Sequence, residues 1–395
     1  MFTKAAALLL LIGKALAGPA LTEETILAQG LKDSVFQAQV AAPVTQAELA
    51  LQSAGRWDNP SAEYSRETLD LPNGSSEETS IWVAQRFNIA GVKGLETKAA
   101  KASLASAQAQ MQLAKRDWQR SLRQRFYALL ASMHKVDAFN KQAAQLRSVS
   151  SSVSKRVAQG DASQFDLLRI DQQVTLVLSD ISAAQADTQK QQLMLFGMLG
   201  MQPQPVTGAL LPDQNLLTPY DLSDHPRVTA LEAKKQALLL QAKAADRSRW
   251  PELTLGVGHK QVNEPDLDSD GNMIAIGIDI PLFTPSNAQQ QLALSQANQM
   301  QAELNARQRE LHAHHDAVMT QYQTLKSTAA SLTALTAQTD HSLSQLAEAS
   351  YQAGELGVME LLDAYQADLE TRLRYINAAM AARRAYIELQ HIRGD

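Results

Sequence analysis

Three groups of side chains have types and spacings that bear on chemistry. His312, His314 and His315 crowd three imidazoles into one stretch. On a helix only His312 and His315 share a face, and no carboxylate or cysteine cluster completes a metal shell. Asp266-x-Asp268-x-Asp270-Gly271 copies the opening of a calcium loop. The position for a bidentate Glu is Gly277, so the spacing predicts an acidic Asp-Gly turn instead. Glu360 and Asp363 lie three residues apart at the start of a predicted helix. They share a face near its positive end, where carboxylates are favoured. No Ser-His-Asp order, Gly-rich phosphate loop or cysteine pair is present. The chain therefore predicts no catalysis, no bound metal and no cofactor.

The acidic pair belongs to a stretch that occurs twice. Ser350–Leu369 and the segment around Lys155 align at an offset of 194 residues, with Gly354 on Gly160, Glu360 on Asp166 and Gln366 on Gln172. Each copy reads as a helix ended by Gly, which enters the left-handed cap at least cost, and then a second helix. Ser163-x-x-Asp166 has the form of a capping box, and Gly357-x-x-Glu360 is a weaker version. Long helical patterns flank both copies: a proline-free segment from about Leu95 to Ala158, whose apolar seam from Leu122 to Val157 has a mean step near 3.5 residues, the coiled-coil period, and a second seam from Met300 that reaches Gly354. Helices to about Leu199 and from Val358 to Ile392 follow the tips.

Between the helices lie short extended segments. An N-terminal helix to about Gln52 is broken at Arg56-Trp57-Asp58-Asn59-Pro60. Ala62 and Tyr64 alternate with polar neighbours, a turn spans Leu71 to Ser76, and Ile81, Val83, Gln85, Phe87 and Ile89 recur at period two. In the second half Leu253, Leu255 and Val257 alternate with Thr254, Gly256 and Gly258. Ile274, Ile276, Ile278, Ile280 and Leu282 then alternate with Ala275, Gly277 and Asp279. Trp250 follows Trp57, and Ile274 follows Ile81, by 193 residues. The chain thus predicts two structural repeats after a signal segment at 1–17. Residues 18–206 would carry a β-hairpin at about 57–89 and a tip at 160; residues 207–395 would carry one at about 251–283 and a tip at 354.

Lys4, the apolar run Ala5–Ile12 and Ala15-Leu16-Ala17 have the form of a secretory signal. No cysteine follows it, so neither an acyl anchor nor a disulfide is expected. A net charge of -5 with both signs interspersed argues against a nucleic-acid partner. No run reaches the ~18 apolar residues of a transmembrane helix, so any crossing must use strands. Strands of about ten residues with one apolar face suit that role; a small soluble sheet packed under helices is the competing reading. Four strands cannot close on themselves in lipid. Two copies would supply eight strands and three would supply twelve, and counting does not choose between them.

Asn59-Pro60, the duplicated hairpins and Tyr351-x-x-Gly354 followed by Glu360-Leu361-Leu362 resemble the TolC-like outer-membrane efflux family. Trp57-x-Asn59-Pro60 with Glu63-Tyr64, Trp250-Pro251-Glu252-Leu253-Thr254-Leu255-Gly256, and Ile280-Pro281-Leu282-Phe283 before Asn287 are most similar to its heavy-metal (CzcC-type) subgroup. The resemblance implies a mainly α fold with a small β part: coiled-coil helices forming a periplasmic α-barrel, and four strands per chain in a trimeric 12-stranded barrel. It implies a homotrimer in the outer membrane of a Gram-negative bacterium, contacting lipid, a periplasmic adaptor and an inner-membrane pump. The implied function is a passive exit duct for heavy-metal cations, with drugs or polypeptides as the alternative cargo and a soluble periplasmic adaptor as the alternative class. By motif, Tyr351 and Asp166 would latch the closed tip, Glu360 and Asp363 would form an acidic aperture ring, and Gly160 and Gly354 would meet the adaptor. Tyr351 also suits an ordinary seam aromatic. The family's latch arginine would fall at Leu356, so a second latch bond is not expected.

Overall fold

The computed structural model describes residues 20–72, 74–212, 221–281, 286–337 and 343–394. The predicted signal segment, much of the predicted 211–226 connector, and Leu282 and Phe283 lie outside them. Helices α1 (Glu23–Lys32) and α2 (Ser34–Ala54) replace the single N-terminal helix that the periodicity predicts. The break is at Asp33, which ends α1 and whose Oδ1 accepts from the Phe36 amide at 2.7 Å. One short polar side chain thus ends the first helix and satisfies an orphan donor of the next.

Strands β1 (Ser61–Leu71) and β2 (Gly74–Phe87) follow, then helices α3 (Val92–Gln159) and α4 (Gln164–Met198). After α5 (Pro226–Arg247) come β3 (Glu252–Glu264), β4 (Leu267–Asp279), α6 (Ser286–Ala337), α7 (Leu343–Gln352) and α8 (Val358–Arg393). Contacts gather this chain into two units that mix both halves of the sequence. One comprises residues up to Ala38, Ala114–Asp221 and residues from Leu311; the other comprises Gln39–Leu113 and Leu222–Glu310.

The second of these units holds the strands, which form one antiparallel sheet in the order β1-β2-β3-β4. β2 and β3 pair along Glu77–Phe87 and Leu253–Asn263, joining the two hairpins directly. β1 and β4 each keep one open edge. The strands run further than the alternation suggests at the turn end. β1 pairs with β2 up to Leu71 opposite Gly74, and β3 with β4 up to Glu264 opposite Leu267. Asp268 and Asp270 are therefore strand residues opposite Asn263 and Gln261, not members of an acidic turn. At the other end β2 stops at Phe87 and β4 at Asp279, so Ile89 and Ile280 fall outside the ladder.

The register divides the sheet into two unlike faces. Rows such as Ala62-Val83-Val257-Ile274 and Gln85-Leu255-Ile276 lie on one face. There Ile81, Val83, Leu255, Val257, Ile274, Ile276 and Ile278 are all exposed, Ile274 by 83 %. The other face carries Glu63, Ser80, Trp82, Gly256, Gly258 and Lys260. A Cβ at Gly256 or Gly258 would collide with the Trp82 indole, so the ring lies flat against β3 backbone that only glycine leaves clear. Arg86 pairs with Glu252 at 3.6 Å and Asp279 at 3.7 Å across the strands, and Lys260 pairs with Glu78. In the same unit α5 buries mostly small residues (Ala230, Ala237, Ala242 and Ala244), and Ser106 on α3 donates to the Ala230 carbonyl at 2.8 Å.

The other unit is helical, with two apolar clusters. The first joins Ile26, Leu122, Phe126, Leu129, Leu195, Phe196, Ile376 and Ile387. Its flank is tied by Arg383, which donates to the carbonyls of Leu210 at 2.9 Å and Ala209 at 2.8 Å and lies 4.2 Å over the Tyr127 ring. The second cluster packs the seam residues Leu146, Val149 and Val153 of α3 against Ile170 and Val177 of α4 and against Leu361 and Tyr365 of α8. Among the described residues, no helix is long and apolar enough to cross a membrane.

Candidate functional site

The second apolar cluster sits where the duplicated motif turns the chain. At the first tip Gly160 has φ +85°, its amide donates to the Val157 carbonyl at 3.0 Å, and Asp161 donates to Arg156 at 2.8 Å. At the second, Gly354 has φ +77°, its amide donates to Tyr351 at 3.1 Å, and Glu355 donates to Ser350 at 2.9 Å. The same paired bonds close both helices with a left-handed residue, the Schellman arrangement. The repeated glycines therefore mark the same backbone geometry made twice.

The capping boxes take a simpler form than the residues suggest. Ser163 Oγ accepts from the Phe165 amide at 3.1 Å, and no return bond from Asp166 occurs among the described residues. Gly357 offers no side chain to cap α8; instead the Glu360 carboxylate curls back until Oε2 would lie 2.7 Å from a Cβ on Gly357. Asp166 and Glu360 are each the third residue of their helix, where the positive end favours an acid.

Tyr351 is buried in the cluster, 7 % exposed. Its hydroxyl accepts from Arg156 Nη1 at 3.4 Å, and that guanidinium lies 5.8 Å from the ring centroid. A Tyr351–Asp166 bond is not among the hydrogen bonds of the described residues. Here the link from the second tip to the first runs through Arg156, four residues before the first glycine. Behind the tip Ser344 donates to Asp368 Oδ2 at 3.1 Å, and Arg372 Nε meets the same oxygen at 3.4 Å, tying α7 to α8. Tyr365 is buried beside them; burial first, and then the Glu348 carboxylate, pushes its phenol well above the usual range.

Glu360 and Asp363 are both exposed and share a face of α8, as their spacing requires. Asp363 opens onto a groove of about 530 Å³ between α3, α4 and α8, lined also by Gln142, Arg169, Gln173 and Gln366. Arg156 and Arg169 escape a search for acids and metal ligands. Arg169 was nonetheless readable, since the 194-residue offset sets it on Asp363.

The three clustered histidines go separate ways on α6. His314 Nε2 lies 4.0 Å from Glu388, and His315 Nδ1 lies 3.1 Å from Asp316. Among the described residues no three His, Asp or Glu side chains are arranged to hold a metal.

Residues 221–395 match the family model of the outer membrane efflux proteins. The chain is also 24 % identical, over 321 residues, to the cobalt-zinc-cadmium resistance protein CzcC of Cupriavidus metallidurans, covering 78 % of this chain and 75 % of that protein. Over its second half, then, the chain resembles the outer membrane efflux proteins. Solved structures of a transmembrane channel and an outer membrane protein share its fold. The CusC channel superposes with a TM-score of 0.79 at 15 % identity, covering 94 % of this chain and 91 % of that one. VceC of Vibrio cholerae superposes with a TM-score of 0.74 at 18 % identity, covering 94 % and 96 %. These likenesses are to outer membrane efflux proteins and a transmembrane channel, and the two solved structures share this chain's fold over 94 % of its length.

Proposed function

We propose that three copies of this chain form an outer-membrane duct, the passive exit of a tripartite efflux system. The observation that carries this reading is the sheet. Its apolar face presents seven large aliphatic side chains to the exterior, and both of its edges lack partners. Each such side chain gains roughly 1.5–3 kcal/mol on leaving water completely. With most of that still ungained, the exposed face costs on the order of 10 kcal/mol in water, as much as a whole domain's stability. Lipid removes the cost. Open edges, however, are not tolerated in lipid, so β4 of one copy must pair with β1 of the next. Four strands per copy reach the eight-strand minimum with two copies; the likeness to efflux channels favours three copies and twelve strands.

In this reading the helical unit stands in the periplasm, the two tips meet an adaptor bound to an inner-membrane pump, and α4 and α8 line the aperture. Tyr351, Asp166, Glu360 and Asp363 govern passage there, and Gly160 and Gly354 form the docking corners. Heavy-metal cations are the proposed cargo, supported by the likeness to the cobalt-zinc-cadmium resistance protein and by acids at the aperture. Cross-linking the protein in membranes and sizing it in detergent tests the assembly. A trimer in the outer-membrane fraction is expected; a folded monomer that stays soluble without detergent would overturn the proposal. Deletion of the protein should sensitise cells to divalent transition metals more than to drugs, and the opposite ranking removes the metal cargo.

A further inference from the structure

The offset that aligns Gly160 with Gly354 also places Asp166 on Glu360 and Arg169 on Asp363. These four side chains sit on the helices that leave the tips, Asp166 and Arg169 on α4, Glu360 and Asp363 on α8. At the first level both helices carry an acid. One turn further on, the charges differ, a guanidinium on α4 and a carboxylate on α8. The structure brings this second level together, because Arg169 and Asp363 line the same groove. Both are exposed, and neither forms an ion pair among the described residues. Gln173 and Gln366 continue the groove without adding charge, and Asp180, three turns further along α4, adds one more carboxylate away from this level. A surface arginine held by a neighbouring carboxylate on its own helix would be unremarkable. Arg169 instead faces open space shared with the opposite repeat's acid.

We propose that Arg169 is a selectivity-determining residue of the duct, set against Asp363 across the groove. Resting on the duct reading above, it turns a purely acidic aperture into two unlike levels. The outer level is all carboxylate, from Asp166 and Glu360. The inner level alternates in sign around the ring, from Arg169 and Asp363. Such a passage draws cations to its mouth, and the inner level limits how strongly they are retained there. Conduction needs that balance, since an ion must be attracted and must also leave. A unit charge about 7 Å from the ion path in water changes an ion's energy by about one RT. Three copies place three such arginines around the ring, and salt screens each to roughly half over that distance, so loss of Arg169 should raise local cation occupancy about three- to fivefold.

The test is the reversal potential of the purified full-length protein in planar bilayers under a KCl gradient. Arg169→Gln should raise the cation-over-anion permeability ratio at least threefold, Arg169→Glu should raise it further, and Asp363→Asn should lower it. Exchanging the two charges, Arg169→Asp with Asp363→Arg, should return the ratio close to that of the unaltered protein; a merely structural arginine would not give that result. If Asp363→Asn shifts the ratio and Arg169→Gln does not, Arg169 lies off the ion path and the inference is wrong. A correctly folded protein that forms no pore would overturn the duct reading and this inference together, whereas an intact pore of unaltered selectivity overturns the inference alone. Circular dichroism of each variant separates these outcomes from misfolding.

Discussion

Ile274 offers the sharpest test of the proposed lipid face, because water and lipid give its replacement opposite signs. It lies in the row Ala62-Val83-Val257-Ile274, near the middle of the apolar band, and is 83 % exposed in the single chain. If that face met water, Ile274→Arg would change stability by no more than about 0.5 kcal/mol, as exposed substitutions usually do. Against lipid, an arginine near the bilayer midplane costs roughly 2–4 kcal/mol. Losing the buried isoleucine adds roughly 1.5–3 kcal/mol, for about 5 kcal/mol per chain. The neighbouring Met273 points to the other face, paired with Gly258 beneath Trp82, and supplies the control. Met273→Arg should cost far less, since that face already carries Lys260 and Arg86. Protein refolded into lipid vesicles, unfolded with urea and followed by tryptophan fluorescence and heat-modifiable gel mobility, reads the difference. Equal stability of the two variants would refute the assignment of faces. So would an Ile274→Arg chain that stays folded without detergent.

At the tip, Tyr351→Phe and Arg156→Ala should each make the resting channel leakier by up to about fivefold, as expected for a bond of about 1 kcal/mol. Their effects should not add, and Asp166→Ala should act more weakly; single-channel recording of all four combinations decides this. Gly160→Ala and Gly354→Ala meet no neighbouring atom, yet each must hold a positive φ. Each should cost roughly 1–2 kcal/mol, seen as faster proteolysis at the tip. Gly258→Val would displace the Trp82 ring, giving a red-shifted emission with little change in helix content. Tyr365 has its folded-state pKa raised by burial and by Glu348. Its contribution is therefore fully present below the ordinary phenol value near 10 and is lost as pH rises above it. Thermal melts should show the helical unit weakening above about pH 10, and Tyr365→Phe should lessen that slope.

Much of this was legible in the residues, and the exceptions have physical causes. The 194-residue offset found both Schellman corners because a left-handed cap selects glycine strongly. The isoleucine alternation found β4 because one of its faces is uniformly apolar. The same criterion failed at Asp268 and Asp270, where the ladder runs past the apolar band into polar sequence that looks like a turn. Hydrogen bonding along the backbone carries the strand on after the side-chain pattern has stopped. Asp33 was missed for a related reason: one capping side chain interrupts a helix without disturbing its apolar period. Individual charges were the least legible. Arg156 reaches Tyr351 from the turn before the first tip, and a long flexible side chain does not declare its partner through spacing.

The sheet has two unpaired margins, and this bears on how the protein is made. In the proposed duct, a newly exported chain would bury its helical seams alone, but its β1 and β4 backbone amides and carbonyls would stay unmatched until a sister chain arrived. Maturation of such a duct would therefore depend on how many chains are present as well as on temperature and sequence. A cell short of this protein would accumulate half-finished copies with adhesive borders before it accumulated working ones.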